Sequence, residues 1–333
     1  MAASGRDLRR KIKSIRSTQK ITSAMQLVAA SKMQRATRQA IESRPFSMLA
    51  HEIVASITTS GAGQSSSEVS HASLLVSRPI KTVLVLLVTT NRGLAGSLNT
   101  QLFRHFTAWR QEQLAKGHTA KIVAVGVKGR QFVTRFARAD LVADFPAPDR
   151  VPDYAQATPI AQLLIDEFSQ SRADAVYLAY NRFVSTLRQE PEIVPFLPFR
   201  QDSKELEVGL TQIGNTPEVT IMSRAKDTPG VKENLRKSLE VKSKETDHET
   251  LFEPSREEVM AGLLPRYLRV RLYQVLLETH ASEQAARMLA MKNATDNAGD
   301  LLDDLTLTYN SLRQAAITGE LLDIAAGAAA LES

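Results

Sequence analysis

The stretch Met291-Lys292-Asn293-Ala294-Thr295-Asp296-Asn297-Ala298-Gly299-Asp300-Leu301-Leu302-Asp303-Asp304-Leu305 carries small and apolar residues in steps of three and four. The spacing continues through Met291, Ala294, Ala298, Leu301, Leu305, Thr308, Leu312, Ala315, Gly319, Leu322, Ala326 and Ala329. A period of seven held over so many turns predicts a coiled-coil seam on one long helix from about Ser255 to Leu331; a core helix of an ordinary bundle is the alternative. The small seam residues would let a partner helix approach closely. Gly319 costs about 1 kcal/mol of helix propensity, which some packing or functional reason must offset.

The other end of the chain offers a partner. From Leu8 to about Ile57 there is no glycine, and the only proline is Pro45, which marks the place for a kink in a second long helix. Apolar residues recur at Leu8, Ile12 and Ile15, then at Ile21, Met25 and Val28, then at Ala29, Met33, Ala36 and Ala40. The stripe shifts phase across Ser17, Thr18, Gln19 and Lys20, so the surface offered to a partner is expected to change there. Two such helices flanking a globular segment pair most simply antiparallel. A helix of about 50 residues extends about 75 Å, well beyond a small domain.

Between them the pattern alternates. Strands are predicted at Lys81–Thr89, Lys121–Gly126, Leu141–Phe145, Ala175–Tyr180 and Glu192–Phe199, the last an edge strand bounded by prolines. Helices are predicted at Ser97–Lys116, Lys128–Phe136 and Ile160–Gln170. Such alternation implies an open, Rossmann-like α/β sandwich with parallel pairing and right-handed crossovers. Gly61 to Ser73 reads as a linker. The charged, weakly periodic segment 202–247 has room for a strand at Val219–Met222 and a helix at Val231–Leu239. The expected organisation is a helix over 1–60, an α/β domain over 61–254 and a helix over 255–333.

Composition narrows the function classes. Of 333 residues 43% are hydrophobic and 23% charged, which is ordinary for a globular chain. The longest apolar run, Val83 to Val88, falls far short of the roughly 20 residues that cross a bilayer, so a soluble or peripheral protein is expected. Without cysteine there can be no disulfide, thiolate metal site or thiol switch. The net charge of +6 is concentrated near the start, in Arg6, Arg9, Arg10, Lys11, Lys13, Arg16, Lys20, Lys32, Arg35 and Arg38, opposed by Asp7. A nucleic-acid arm, a targeting peptide and a partner-facing or solvated helix are the three readings. The helical pattern running unbroken through Ala40 favours the last.

Catalytic templates are not met. In Thr89-Thr90-Asn91-Arg92-Gly93-Leu94-Ala95-Gly96 the two glycines fit neither the phosphate loop nor the dinucleotide fingerprint, and a strand-to-helix turn needing backbone freedom accounts for them. His51, His71, His105, His118, His248 and His280 lack metal-ligand spacing, and Asp303 with Asp304 reads as a solvated helix face. No catalytic residue, cofactor site or metal site is expected.

Longer matches bring a family resemblance. Ile12-Lys13-Ser14-Ile15-Arg16-Ser17-Thr18-Gln19-Lys20-Ile21-Thr22-Ser23-Ala24-Met25, continuing into Val28-Ala29-Ala30-Ser31-Lys32-Met33, resembles the opening helix of bacterial-type F-type ATP synthase gamma subunits. Ala281-Ser282-Glu283-Gln284-Ala285-Ala286-Arg287-Met288, Ala294-Thr295-Asp296-Asn297-Ala298, Leu307-Thr308-Tyr309-Asn310 and Arg313-Gln314-Ala315-Ala316-Ile317-Thr318 resemble its closing helix. Arg92-Gly93-Leu94-Ala95-Gly96-Ser97-Leu98-Asn99 resembles the turn after its first sheet strand. The resemblance implies a non-catalytic rotary shaft that couples proton flow through a membrane sector to ATP synthesis or hydrolysis. Its antiparallel coiled coil would enter a ring of alternating alpha and beta subunits. Its α/β domain would stand on the c-subunit ring beside an epsilon subunit, with a delta subunit as a further candidate partner, peripheral to the cell inner membrane on the cytoplasmic side.

By the same resemblance Arg313, Gln314 and Thr318 would catch a catalytic-subunit loop, and Met25 and Arg287 would lie near the lever of the beta subunit. Each has a plainer reading as a stripe residue or an exposed helix side chain. A nucleic-acid adaptor is the main rival class, but 5% aromatic content gives little for base stacking, and nucleic acid is not an expected partner. A dinucleotide-dependent enzyme is the other rival.

Overall fold

The computed structural model describes residues 5–60, 72–199, 253 and 255–331. The elements at Val219–Met222 and Val231–Leu239 expected from the sequence, and most of the Gly61–Ser73 linker, lie outside them. Helix α1 covers Gly5–Ser60, with Pro45 in its interior. There follow β1 (Thr82–Val88), α2 (Leu98–Ala115), β2 (Thr119–Val125), α3 (Val127–Phe136), β3 (Leu141–Phe145), α4 (Tyr154–Ser169), β4 (Ala175–Phe183) and β5 (Gln189–Leu197), and then helix α5, Arg256–Leu331.

The sheet order is β3-β2-β1-β4-β5. β1 pairs in parallel with β2 and β4, and β2 with β3. Its central place explains its composition: Val83 to Val88 are buried without alternation because both faces are covered. On one face Leu84, Leu86 and Val88 join Leu164 and Phe168 of α4 and Leu268, Leu272 and Leu276 of α5. On the other, Val85 and Leu87 join Leu102 and Phe106 of α2 and Val133 of α3. The final pair departs from all-parallel expectation. β5 is antiparallel to β4, because the link 184–188 is too short for the crossover that a parallel strand needs. Pro191 and Pro195 sit in β5, an edge position that tolerates their missing N–H groups.

The chain divides into two compact units, one formed by Met1–Ser31 with Arg287–Ser333 and the other by Lys32–Ala286. The sheet lies in the second. No helix among the described residues is long and apolar enough to cross a membrane.

Candidate partner-contact surface

In an open α/β sheet, ligands bind outside the carboxyl ends of the strands where the chain order reverses, here between β1 and β4. The protein's own groups occupy that place. The amides that open α3 would be free to hold an anion, yet Val127 N–H goes to Asn91 Oδ1 (3.3 Å), Lys128 N–H to Thr90 O (3.1 Å) and Gly129 N–H to Thr89 Oγ1 (2.8 Å). Thr89 Oγ1 in turn donates to Val125 O at 2.8 Å. Gly126, at φ 92, lies so close that a Cβ there would stand 2.4 Å from Thr89 O. In the turn after β1, Gly96 takes positive φ as a strand-to-helix turn needs, but the other left-handed residue is Leu94 (φ 63), not Gly93. Ala95 and Leu98 then pack on Ala286 of α5.

Helix α5 fills the remainder. The pairing of β1 with β4 stops at Leu87 and Ala179, while β4 runs on to Phe183. Beyond that point side chains of α5 take the strand's backbone groups: Ser282 Oγ donates to Asn181 O at 2.9 Å, and Glu278 Oε1 accepts Phe183 N–H at 3.0 Å. One helical face nearer its start, Arg271 Nη2 donates to Pro195 O at 2.9 Å. Gln274 Oε1 accepts from Ser47 Oγ of α1 at 2.8 Å, and Tyr273 OH from Gln39 Nε2 at 2.8 Å. All but Gln39 among these side-chain partners are buried, Glu278 at 3% exposure. Burial pushes the Glu278 carboxyl up to about 8, and it raises the Tyr180 phenol as well. These joints went unread in the sequence. The available signal was polar residues at 271, 274, 278 and 282, a helical spacing, set among apolar neighbours.

The first unit is a two-helix seam whose register corrects the sequence reading. On α1 one line of buried or half-buried positions, with Ser23, Met25 and Ala30 half-buried beside it, runs through Leu8, Ile12, Ile15, Gln19, Thr22, Gln26 and Ala29. These are alternate steps of four and three with no shift of phase. Polar Gln19, Thr22 and Gln26 carry the seam where apolar residues were sought, and Ile21 and Val28, each 57% exposed, form a second face outside it. On α5 the seam is Met291, Thr295, Ala298, Leu302, Leu305 and Tyr309, so Leu301 and Thr308 are exposed one position away from the expected heptad. Thr295 Oγ1 donates to Thr22 Oγ1 at 2.7 Å, and the space beside Gly299 is taken by the Gln19 amide. As numbers fall along α1 they rise along α5. The pair is antiparallel.

This register brings Gly5, the first residue of α1, level with about Leu312. Among the described residues no α1 position lies level with the seam expected beyond Leu312: Leu312, Ala315 and Leu322 are exposed, and a Cβ on Gly319 would meet nothing within 4 Å. Leu321, Leu322 and Ile324 are each more than 60% exposed. On the other helix Arg9, Arg10, Lys11, Lys13, Arg16 and Lys20 are all exposed, facing away from the seam.

The five residues singled out by resemblance fall in two places. Met25 is half-buried on α1, level with about Lys292, little more than one helical turn from half-buried Arg287. Arg313, Gln314 and Thr318 are exposed on α5, about 40 Å along the helix from Arg287. The first pair flanks the paired stretch. The trio occupies the unpaired one.

Comparison with known proteins agrees over nearly the whole chain. A family model described as ATP synthase matches residues 4–331. The chain is 37% identical over 330 residues to the ATP synthase gamma chain of Desulfitobacterium hafniense, covering 99% of this chain and all of that one. It is 39% identical over 324 residues to that of Opitutus terrae, covering 97% of each. Among solved structures, a chain in the Euglena gracilis mitochondrial ATP synthase OSCP/F1/c-ring assembly superposes with a TM-score of 0.59 at 17% identity, covering 98% of this chain and 94% of that one. A chain of the Tetrahymena thermophila mitochondrial ATP synthase central stalk and c-ring gives a TM-score of 0.54 at 24% identity, covering 82% and 99%.

Proposed function

The chain belongs to the ATP synthase gamma-chain family, and from that premise we propose that it is the non-catalytic central shaft of an F-type ATP synthase. The observation that carries the reading is the last stretch of α5, an apolar helix that outruns its α1 partner and exposes Leu321, Leu322 and Ile324. So much unpartnered apolar surface is stable in a working complex when another body encloses it. A ring of alpha and beta subunits supplies that enclosure, and few directional bonds there let the helix turn. The α/β domain stands on the c-subunit ring beside epsilon, peripheral to the inner membrane on its cytoplasmic side. Chemistry belongs to the ring, since the crevice in which a sheet of this kind would hold a nucleotide is filled by Glu278, Ser282 and Ala286.

A shaft acts by making different contacts with the catalytic subunits in different orientations, and only such differences bias their open and closed states. Arg313, Gln314 and Thr318 form the catch on one such loop, with Met25 and Arg287 at the second contact nearer the sheet-bearing unit's sequence. A charge-assisted hydrogen bond contributes about 1.5–3 kcal/mol, or about tenfold or more in a rotational step if it is made in one orientation only. The test is the double change Arg313→Ala with Gln314→Ala in the assembled complex. Assembly is expected to persist while ATP-driven turnover falls about tenfold. Unchanged turnover in a fully assembled complex would sink the catch; an equal loss on changing exposed Asp303 and Asp304 to alanine would assign the effect to general helix damage.

A further inference from the structure

We propose that Glu278 is a proton-linked latch between α5 and the end of β4: its neutral carboxyl accepts the Phe183 amide, and loss of the proton loosens helix from strand. The geometry carries this. Past Ala179 the strand has lost β1, so Glu278 and Ser282 stand in for the missing neighbour: their two hydrogen bonds join this end of β4 to α5, beside the packing of Phe183 with Ala281 and Ala285. The Phe183 amide by itself favours the charged form of the carboxyl, but the carboxyl is buried and has no cation as hydrogen-bond partner there, and the cost of holding a carboxylate away from water outweighs that one bond.

The charges around it do not favour a carboxylate. From β4 the nearby groups are Arg182 and Tyr180, and from β5 Glu190 and Glu192. The cation on β4 is already engaged: Arg182 Nη2 lies 2.7 Å from Glu190 and its Nε 3.5 Å from Glu192. Glu192 adds repulsion. On α5 itself the other buried titratable groups of this stretch are Arg271, Tyr273, His280 and Glu283; Arg271 is directed to Pro195 O and Tyr273 to Gln39. Helix α1 meets the adjacent Ala281 and Ala285 through Met33, Ala36 and Ile41. An isolated carboxylate in such a place is strongly disfavoured, and the group keeps its proton instead.

The sign follows from linkage. The folded chain holds a proton that the unfolded chain releases near the ordinary value of 4.5, so the latch is at full strength below that value. Its contribution declines as pH rises and is lost through about 8.

The test uses the full chain and Glu278→Gln, whose amide oxygen still accepts from Phe183 N–H but cannot titrate. Infrared difference spectra titrated from about pH 6 to about pH 9.5 are expected to show a buried carboxylic-acid carbonyl band that bleaches with rising pH and is missing from the variant. Amide exchange at Phe183, corrected for intrinsic rate, should lose protection by up to about tenfold per pH unit between about 4.5 and about 8 in the unaltered chain and level off above, and stay level throughout in Glu278→Gln. The absence of the acid band at neutral pH overturns the proposal. So does Phe183 protection that changes with pH equally in both proteins. If the variant does not fold, the unaltered chain decides alone: Phe183 protection that tracks a β1 reference amide over the same range overturns it, and selective loss at Phe183 with bleaching of the band supports it.

Discussion

Replacing Leu302 by alanine tests the seam register against the heptad that the sequence suggested. Leu302 is 8% exposed and Leu301 46%, although they are adjacent on the same helix. Burying a leucine side chain is worth about 1.5–3 kcal/mol, and a cavity left in a packed core raises the loss to about 2–5 kcal/mol. A two-helix seam is open at its sides and can partly close over the gap, so about 2–3 kcal/mol is expected for Leu302→Ala, or about 30- to 140-fold in the local opening equilibrium. Leu301→Ala leaves no cavity and should cost below about 1 kcal/mol, no more than about fivefold. The readout is hydrogen exchange of the backbone amides from Ala298 to Thr306 in the full chain, where opening of the pair sets the rate. If Leu301→Ala accelerates exchange as much as Leu302→Ala, the seam runs where the sequence placed it and the register argued from Thr22 and Thr295 is wrong.

Two further outcomes test the sheet-bearing unit. Gly126→Ala forces a Cβ to within 2.4 Å of the Thr89 carbonyl at a φ of 92. The obstacle is backbone, so strain of about 1–3 kcal/mol adds to a similar overpacking cost; urea unfolding should show a loss of about 3 kcal/mol or more, and a change below about 1 kcal/mol would mean that the turn into α3 relaxes freely. Glu190 is held below the usual carboxylate value by its hydrogen bond to Arg182, so its contribution is present above 4.5 and is lost as pH falls through the lower folded value. Glu190→Gln should therefore flatten the acid-side decline in stability, and identical pH slopes in the two proteins would remove Glu190 from that account.

Local physics made much of the architecture legible. The run Val83 to Val88 reads as a strand covered on both faces, and the glycine-free stretch near the start and the seven-residue period near the end read as long helices. The family followed from the residues of those helices. What the sequence could not yield was which of two neighbouring stripes on a helix faces its partner. Periodicity reports a period and not a phase once polar residues enter a seam, and Gln19, Thr22, Gln26 and Thr295 do so here because a hydrogen bond between threonines and a glycine-made space beside Gln19 make them acceptable. The apolar residues displaced from the seam, Ile21, Val28 and Leu301, were free to become an outer surface. The fate of the β1–β4 crevice was also a tertiary decision. The carboxyl end of a parallel sheet is open by default, and only the seating of Glu278, Ser282 and Ala286, about a hundred residues further along the chain, closes it.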